Sequence, residues 1–146
     1  MGAVKDSLQR QVCFSLYSAS KAATALYRPM LERLGLTYPQ YLVMTLLWGQ
    51  DGLSVRELGA ELELDSGTLS PLLKRLEAAG LVQRHRDARD ERRVRIRLTD
   101  AGRALEPQAK ALPDRLAASD GVAPEELRTL LETLDKVTAA LRQAAD

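Results

Sequence analysis

Residues 53–98 read LSVRELGAELELDSGTLSPLLKRLEAAGLVQRHRDARDERRVRIRL. Ser54 with Glu57 three residues on spells a capping box, and Leu53 with Leu58 stands at the N′ and N4 positions of a hydrophobic staple, so a helix starts at Ser54. Val55, Leu58 and Leu62 share one face of it. Leu64-Asp65-Ser66-Gly67 supplies turn chemistry, after which Leu69, Leu72, Leu73 and Leu76 recur at helical spacing. Ala79-Gly80 stops this second helix, with glycine at the C′ position. Beyond it Val94, Ile96 and Leu98 alternate with Arg93, Arg95 and Arg97, the period of a half-buried strand, and Leu81 to Arg86 form its hairpin partner. Two short capped helices and a charged hairpin make a winged helix-turn-helix.

The leucines take the buried face of the second helix, leaving Ser66, Thr68, Ser70, Pro71, Lys74 and Arg75 pointing away from the core. Short side chains near a helix N-terminus allow close approach to bases and phosphates, and Lys/Arg neutralise backbone charge; this is a helix suited to a major groove. Pro71 leaves the helix start open. Proline is comfortable only in a first turn, so the helix begins either directly after the Asp65 turn or at Thr68, with residues 65–67 as a preceding turn.

Charge supports the same surface. The net charge of the 146 residues is only +1, but residues 74–97 hold nine Lys/Arg against four Asp/Glu, and the rest of the chain holds twelve against sixteen. A basic hairpin and helix on an acidic body is the footprint of a phosphate-binding surface; a merely solvated hairpin would not share its charge with the helix beside it. The 45% hydrophobic and 28% charged composition is that of one globular domain, with no apolar run that would span a bilayer, so no membrane partner is expected. No signal-peptide pattern opens the chain, and a single cysteine makes no internal disulfide, which fits a cytoplasmic protein.

Upstream, Val12, Leu16, Ala19, Ala23, Leu26 and Met30 form a heptad seam on a long helix over about residues 6–34, bent or interrupted at Pro29. Thr37 and Gln40 form another capping box, stapled by Leu36 and Tyr41, and open a helix whose buried face carries Leu42, Leu46 and Leu47 and which ends near Gln50-Asp51-Gly52. Trp48 reads as core. Thr99 caps a helix running to about Ala118 with kinks at Pro107 and Pro113. Ala123-Pro124-Glu125-Glu126 begins a last helix striped by Leu127, Leu130, Leu131, Leu134, Val137 and Leu141. The expectation is one mainly α domain: a winged helix-turn-helix over about residues 37–98, flanked by dimerisation helices over about 6–34 and 100–143. Packing within one subunit is the plainer alternative for those flanks.

All six aromatic residues, Phe14, Tyr17, Tyr27, Tyr38, Tyr41 and Trp48, lie within about three dozen positions of the single Cys13. Cys13 and Tyr17 are i and i+4 on one helix face. Tyr27 is on that face too, but about 21 Å further along the helix. It therefore reaches only the cysteine of an antiparallel partner, as does Tyr38. A phenol donating to sulfur favours thiolate over thiol and makes it more nucleophilic towards a peroxide. By spacing alone, a lone cysteine is ordinarily a small buried hydrophobe.

Four motifs change that balance. Cys13-Phe14-Ser15-Leu16-Tyr17, Leu36-Thr37-Tyr38-Pro39-Gln40-Tyr41, Leu64-Asp65-Ser66-Gly67-Thr68-Leu69-Ser70-Pro71 and Asp90-Glu91-Arg92 resemble the MarR family of winged-helix repressors, and the first two resemble its organic hydroperoxide resistance regulators. The resemblance spans nearly the whole chain. It implies a peroxidatic thiol at Cys13, with Tyr27 and Tyr38 of the other subunit as hydrogen-bond partners and Tyr17 in support. It also implies a wing-tip arginine at Arg92, oriented by Asp90, that enters the minor groove. Lys74, Arg75 and the wing arginines, Arg84 and Arg86 among them, are expected to carry most of the salt-dependent affinity. With no second cysteine the chain looks like the one-cysteine type, whose sulfenic acid is capped by an external low-molecular-weight thiol.

The expected function is a homodimeric repressor that binds a pseudo-palindromic operator in double-stranded DNA, its recognition helices about 34–36 Å apart, and releases it when an organic hydroperoxide oxidises Cys13. Two other readings stand beside it. One is a repressor of the same family controlled by a small aromatic ligand, with Cys13 incidental; the other is a thiol peroxidase, which needs a resolving thiol or cationic activator. No cofactor, metal constellation, glycine-rich phosphate loop or hydrolase arrangement is legible, and His85, the single histidine, reads as a surface or phosphate-contacting residue.

Overall fold

The computed structural model describes residues 2–110 and 121–146. In chain order it has α1 (Gly2–Leu34), α2 (Tyr38–Gly49), α3 (Val55–Leu62), α4 (Ser66–Ala78), β1 (Val82–Arg86), β2 (Val94–Leu98), α5 (Asp100–Ala104), α6 (Glu106–Ala109) and α7 (Pro124–Ala145). Two compact units result, Met1–Ala109 and Lys110–Asp146. The first is a winged helix-turn-helix preceded by α1.

The two capping boxes form as their sequences require. Thr37 N–H donates to Gln40 Oε1 at 2.9 Å and Gln40 N–H returns to Thr37 Oγ1 at 3.4 Å. Ser54 N–H donates to Glu57 Oε2 at 2.7 Å, and Glu57 N–H to Ser54 Oγ at 3.1 Å. At α4 the open boundary closes in favour of the earlier start: Asp65 is the N-cap, its Oδ1 accepting from Thr68 N–H at 2.7 Å, and Ser66 and Gly67 are already helical. Pro71 is thus interior to α4. The carbonyl that its missing N–H would have met belongs to Gly67, an exposed residue of the first turn, so it is not sealed in the core.

Three expectations need correction. α1 is not interrupted at Pro29 but runs on to Leu34, since Ala25 and Pro29 lie on its exposed side and the Ala25 carbonyl is left to solvent. The buried face of α2 is Gln40, Tyr41, Val43, Met44 and Leu47, while Leu42 and Leu46 are half-buried. This helix enters between α1 and the winged unit, so its apolar residues are covered from more than one side. The helix capped by Thr99 is two short helices, broken at Leu105, where Pro107 removes the N–H that would meet the Arg103 carbonyl. Pro113 and the expected end at Ala118 lie outside the described residues.

The core joins Val43, Met44 and Leu47 of α2, Leu58 of α3, Leu69, Leu73 and Leu76 of α4, and Val82 and Ile96 of the hairpin. The strands are antiparallel in the register Val82↔Leu98, Arg84↔Ile96 and Arg86↔Val94. On its other edge β2 meets the α2–α3 connection: Ile96 N–H donates to Leu53 O at 2.8 Å, and Ser54 bridges Arg95. The wing is therefore rooted in the residues that cap α3. Gly80 at φ +74 ends α4, Leu81 N–H closing back to Leu76 O at 3.0 Å.

Candidate functional site

Residues 66–78 lie on the winged unit with their leucines inward, and Ser66, Thr68, Pro71, Lys74 and Arg75 are exposed as expected. Ser70 is half-buried. Its carbonyl accepts from Arg84 Nη2 at 3.3 Å, and Arg84 Nε lies 3.0 Å from Glu77 Oε2. Arg84 is thus a tie between β1 and α4 within the protein, whereas Arg86, at the end of β1, is exposed.

At the wing tip Asp90 Oδ1 accepts the backbone N–H of Arg92 at 3.1 Å, and Asp90 O accepts from Arg93 N–H at 2.9 Å. The acid shapes the backbone that carries Arg92 and leaves its guanidinium exposed. Asp87 braces the other side. Its Oδ1 accepts from Arg89 N–H at 3.0 Å and its Oδ2 from Arg95 Nε at 3.1 Å. The backbone hydrogen bond from Arg89, then the one from Arg95, holds this carboxyl below its ordinary range.

Two residues that the sequence reading passed over organise the base of the wing. Asp51 Oδ1 accepts from Gly52 N–H at 2.8 Å and Leu98 N–H at 2.9 Å, while Oδ2 pairs with Arg103 Nη2 at 3.1 Å. Arg95 Nη1 donates to Gly52 O at 2.9 Å. Asp51 read as a helix terminus and Arg95 as an outward wing cation; both partners lie more than forty residues away, so no local pattern signals them. Trp48 is half-buried and its Nε1–H donates to Gly102 O at 2.9 Å. A Cβ on Gly102 would collide with the Leu81 carbonyl, so only glycine permits this contact between α5 and the wing.

The thiol residues come together in two pairs, not as one set. Cys13 and Tyr17 are exposed one turn apart on α1, with Lys21 Nζ 5.4 Å from the Tyr17 ring centre. Tyr27 stacks on Tyr38 with ring centres 5.8 Å apart, and Tyr41 completes the cluster at 6.5 Å and 6.1 Å from them. Tyr41 had a signal: it is one turn after Tyr38. Burial, followed by the neighbouring Tyr38 and Tyr41, pushes the Tyr27 hydroxyl above its ordinary range, so it stays a proton donor at neutral pH. Among the described residues no group of His, Cys, Asp and Glu could hold a metal ion, and no helix is long and apolar enough to cross a membrane.

Comparison with known proteins places this geometry. Residues 25–107 match the family model of the transcriptional regulator SarA/Rot. The chain is 49% identical over 140 residues to the transcriptional regulator TtmR of Methylorubrum extorquens, covering 96% of this chain and 72% of that protein. It is 44% identical over 134 residues to the organic hydroperoxide resistance transcriptional regulator of Bacillus subtilis, covering 87% of this chain and 91% of that one. Among solved structures, reduced AbfR bound to DNA superposes with a TM-score of 0.85 at 33% identity, over 97% of this chain and 99% of that one; the protein is from Staphylococcus epidermidis. A capped helix-turn-helix, a rooted basic wing and relatives that match nearly the full length of this chain together make it a member of the MarR family of winged-helix transcriptional regulators.

Proposed function

We propose that the protein is a homodimeric repressor that holds a double-stranded operator while Cys13 is reduced and releases it when an organic hydroperoxide oxidises that thiol. The observation that carries this reading is the tyrosine arrangement. Tyr27 and Tyr38 converge at one end of α1, and Cys13 with Tyr17 stands exposed towards the other. An antiparallel partner helix would bring each cysteine to the other subunit's phenols. The 44% identity to the Bacillus hydroperoxide regulator supports the same assignment.

In this reading α1, with Val12, Phe14 and Leu26 exposed, and the segment over residues 100–143, with Leu130, Leu131 and Leu141 exposed, form the dimer interface. α4 enters the major groove with Ser66, Thr68, Ser70 and Pro71 near the bases and Lys74 and Arg75 on phosphates. Arg92 enters the minor groove from the wing tip set by Asp90, and Arg86 adds charge beside it. Arg84 contributes by fixing β1 to α4.

The thiolate attacks the distal peroxide oxygen: an S–O bond forms, the O–O bond breaks, the alcohol leaves with a proton, and sulfur becomes a sulfenic acid. A low-molecular-weight thiol then condenses with it, releasing water and leaving a mixed disulfide. Bulk and lost hydrogen bonds at a subunit interface bias the dimer to a spacing that no longer fits successive grooves. A hundredfold loss of operator affinity requires about 2.7 kcal/mol of differential stability.

The test is operator binding by wild type and Cys13→Ser before and after stoichiometric organic hydroperoxide with a small thiol present. Release by the wild type alone is expected. Retention by both, with release by a phenolic compound, would select control by an aromatic ligand instead.

A further inference from the structure

A cleft of about 1130 Å³ opens between α3, α4 and the wing, its lining reaching Asp90 and Arg92 at the wing tip. A protein that places one helix in a major groove and a hairpin tip in the adjacent minor groove must straddle the sugar-phosphate strand between them, because the two grooves share that strand as a wall. The cleft is the concavity between those two elements.

Its lining has the chemistry of that strand. Arg56 projects from the exposed side of α3 and Arg93 from the residue before β2; among the described residues neither belongs to an ion pair. Ser66 and Ser70 face them from α4. The two acids at the lining each have one carboxylate oxygen committed to a backbone N–H. Glu57 spends Oε2 on Ser54 N–H at 2.7 Å, and Asp90 spends Oδ1 on Arg92 N–H at 3.1 Å. The hydrogen bonds from Ser54, then the charges of Arg95 and Arg93, hold the Glu57 carboxyl below its ordinary value, which sets wing and α3 within electrostatic reach.

We propose that this cleft seats the DNA strand separating the two grooves, and that Arg56 and Arg93 clamp its phosphates from opposite sides. The assignment rests on α4 and the wing tip docking as described above. Neither arginine reaches a base edge, so the clamp adds affinity without sequence preference.

The test uses the full-length protein and a 30-bp duplex carrying the site that the wild type selects from a random-sequence library. Arg56→Gln and Arg93→Gln should each lower the slope of log affinity against log salt by about 0.9 per protomer, about 1.8 for a dimer, and leave the rank order of single-base variants intact. Arg97→Gln, which removes the same charge from a wing position outside the cleft lining, should keep the wild-type slope. Replacing single phosphates by methylphosphonates should reveal positions between the two groove footprints that weaken the wild type but not Arg56→Gln. Wild-type slopes in the two cleft variants, or an equal loss in Arg97→Gln, overturn the clamp while a loss in Lys74→Gln preserves the α4 docking. If Lys74→Gln also binds as wild type, the docking fails and the clamp with it.

Discussion

α4 and α1 are both amphipathic by sequence, yet they finish differently. Leu69, Leu73 and Leu76 of α4 are 1%, 0% and 0% exposed, and the helix is closed by Asp65 at one end and Gly80 at the other. Among the described side chains of α1 only Leu31 and Leu34 are buried, in the last turns, while Phe14 and Tyr17 remain 67% and 60% exposed. α4 is packed along its length by its own chain, whereas among the described residues α1 is buried at its C-terminal end. The winged unit thus closes its own core, and Cys13 sits on a helix that leaves Val12, Phe14 and Leu26 exposed.

The sharpest way to break this contrast is truncation at matched positions, followed through Trp48, the single tryptophan. Leu76→Ala should cost the winged unit about 3 kcal/mol, since a fully enclosed leucine leaves a cavity. Phe14→Ala, measured at concentrations where the chain is monomeric, should move the same transition by less than about 0.5 kcal/mol. Equal losses would show that α1 is already part of the core.

Asp51 separates a structural from an electrostatic view of the wing base. Asp51→Ala removes the acceptor for Leu98 N–H and the partner of Arg103, and should destabilise the unit by about 2 kcal/mol. The Arg103 pair is exposed and contributes little by itself, so Arg103→Ala should cost much less. If the two variants lost the same, the ion pair and not the backbone acceptor would be holding β2 to α2. A smaller effect is expected at Ser54→Ala, about 1 kcal/mol, because Glu57 still closes on the Ser54 backbone N–H.

How much was legible follows from the range of each interaction. Capping boxes at Thr37 and Ser54, the glycine stop at Gly80 and the inward Ile96 and Leu98 of β2 are set by residues within a few positions and stand as read; Arg95, beside Ile96, does not. What escaped depends on partners distant in the chain. Arg84 read as a free wing cation but is held by α4, and Asp51 read as a helix terminus but binds both β2 and α5. Leu42 and Leu46 were favoured over Val43 and Met44 because one-sided periodicity underestimates a helix covered on several sides. The candidate thiol pair was legible as spacing; the stacking of Tyr41 on Tyr27 and Tyr38 required the turn between α1 and α2.

The smallest predicted effect concerns acid, and it too distinguishes the regions. The carboxyls of Asp65 and Glu57 lie below their ordinary values of 3.8 and 4.5, chiefly through hydrogen bonds with Thr68 and Ser54 respectively. Because the folded form binds its proton less readily, each contributes stability above the ordinary value that is lost as pH falls through the lowered one. The winged unit should therefore weaken below about pH 4.5, as unfolded chains take up protons that the folded helix caps resist. Asp65→Asn keeps a capping oxygen but removes one of these titrations. Its stability should differ from wild type at neutral pH and converge with it in acid, and urea titrations read at Trp48 at pH 7 and pH 3 measure that difference directly. A gap that stayed constant across this range would assign the Asp65 cap to geometry alone and leave the acid sensitivity to Glu57 and to Asp87, whose carboxyl is lowered in the wing.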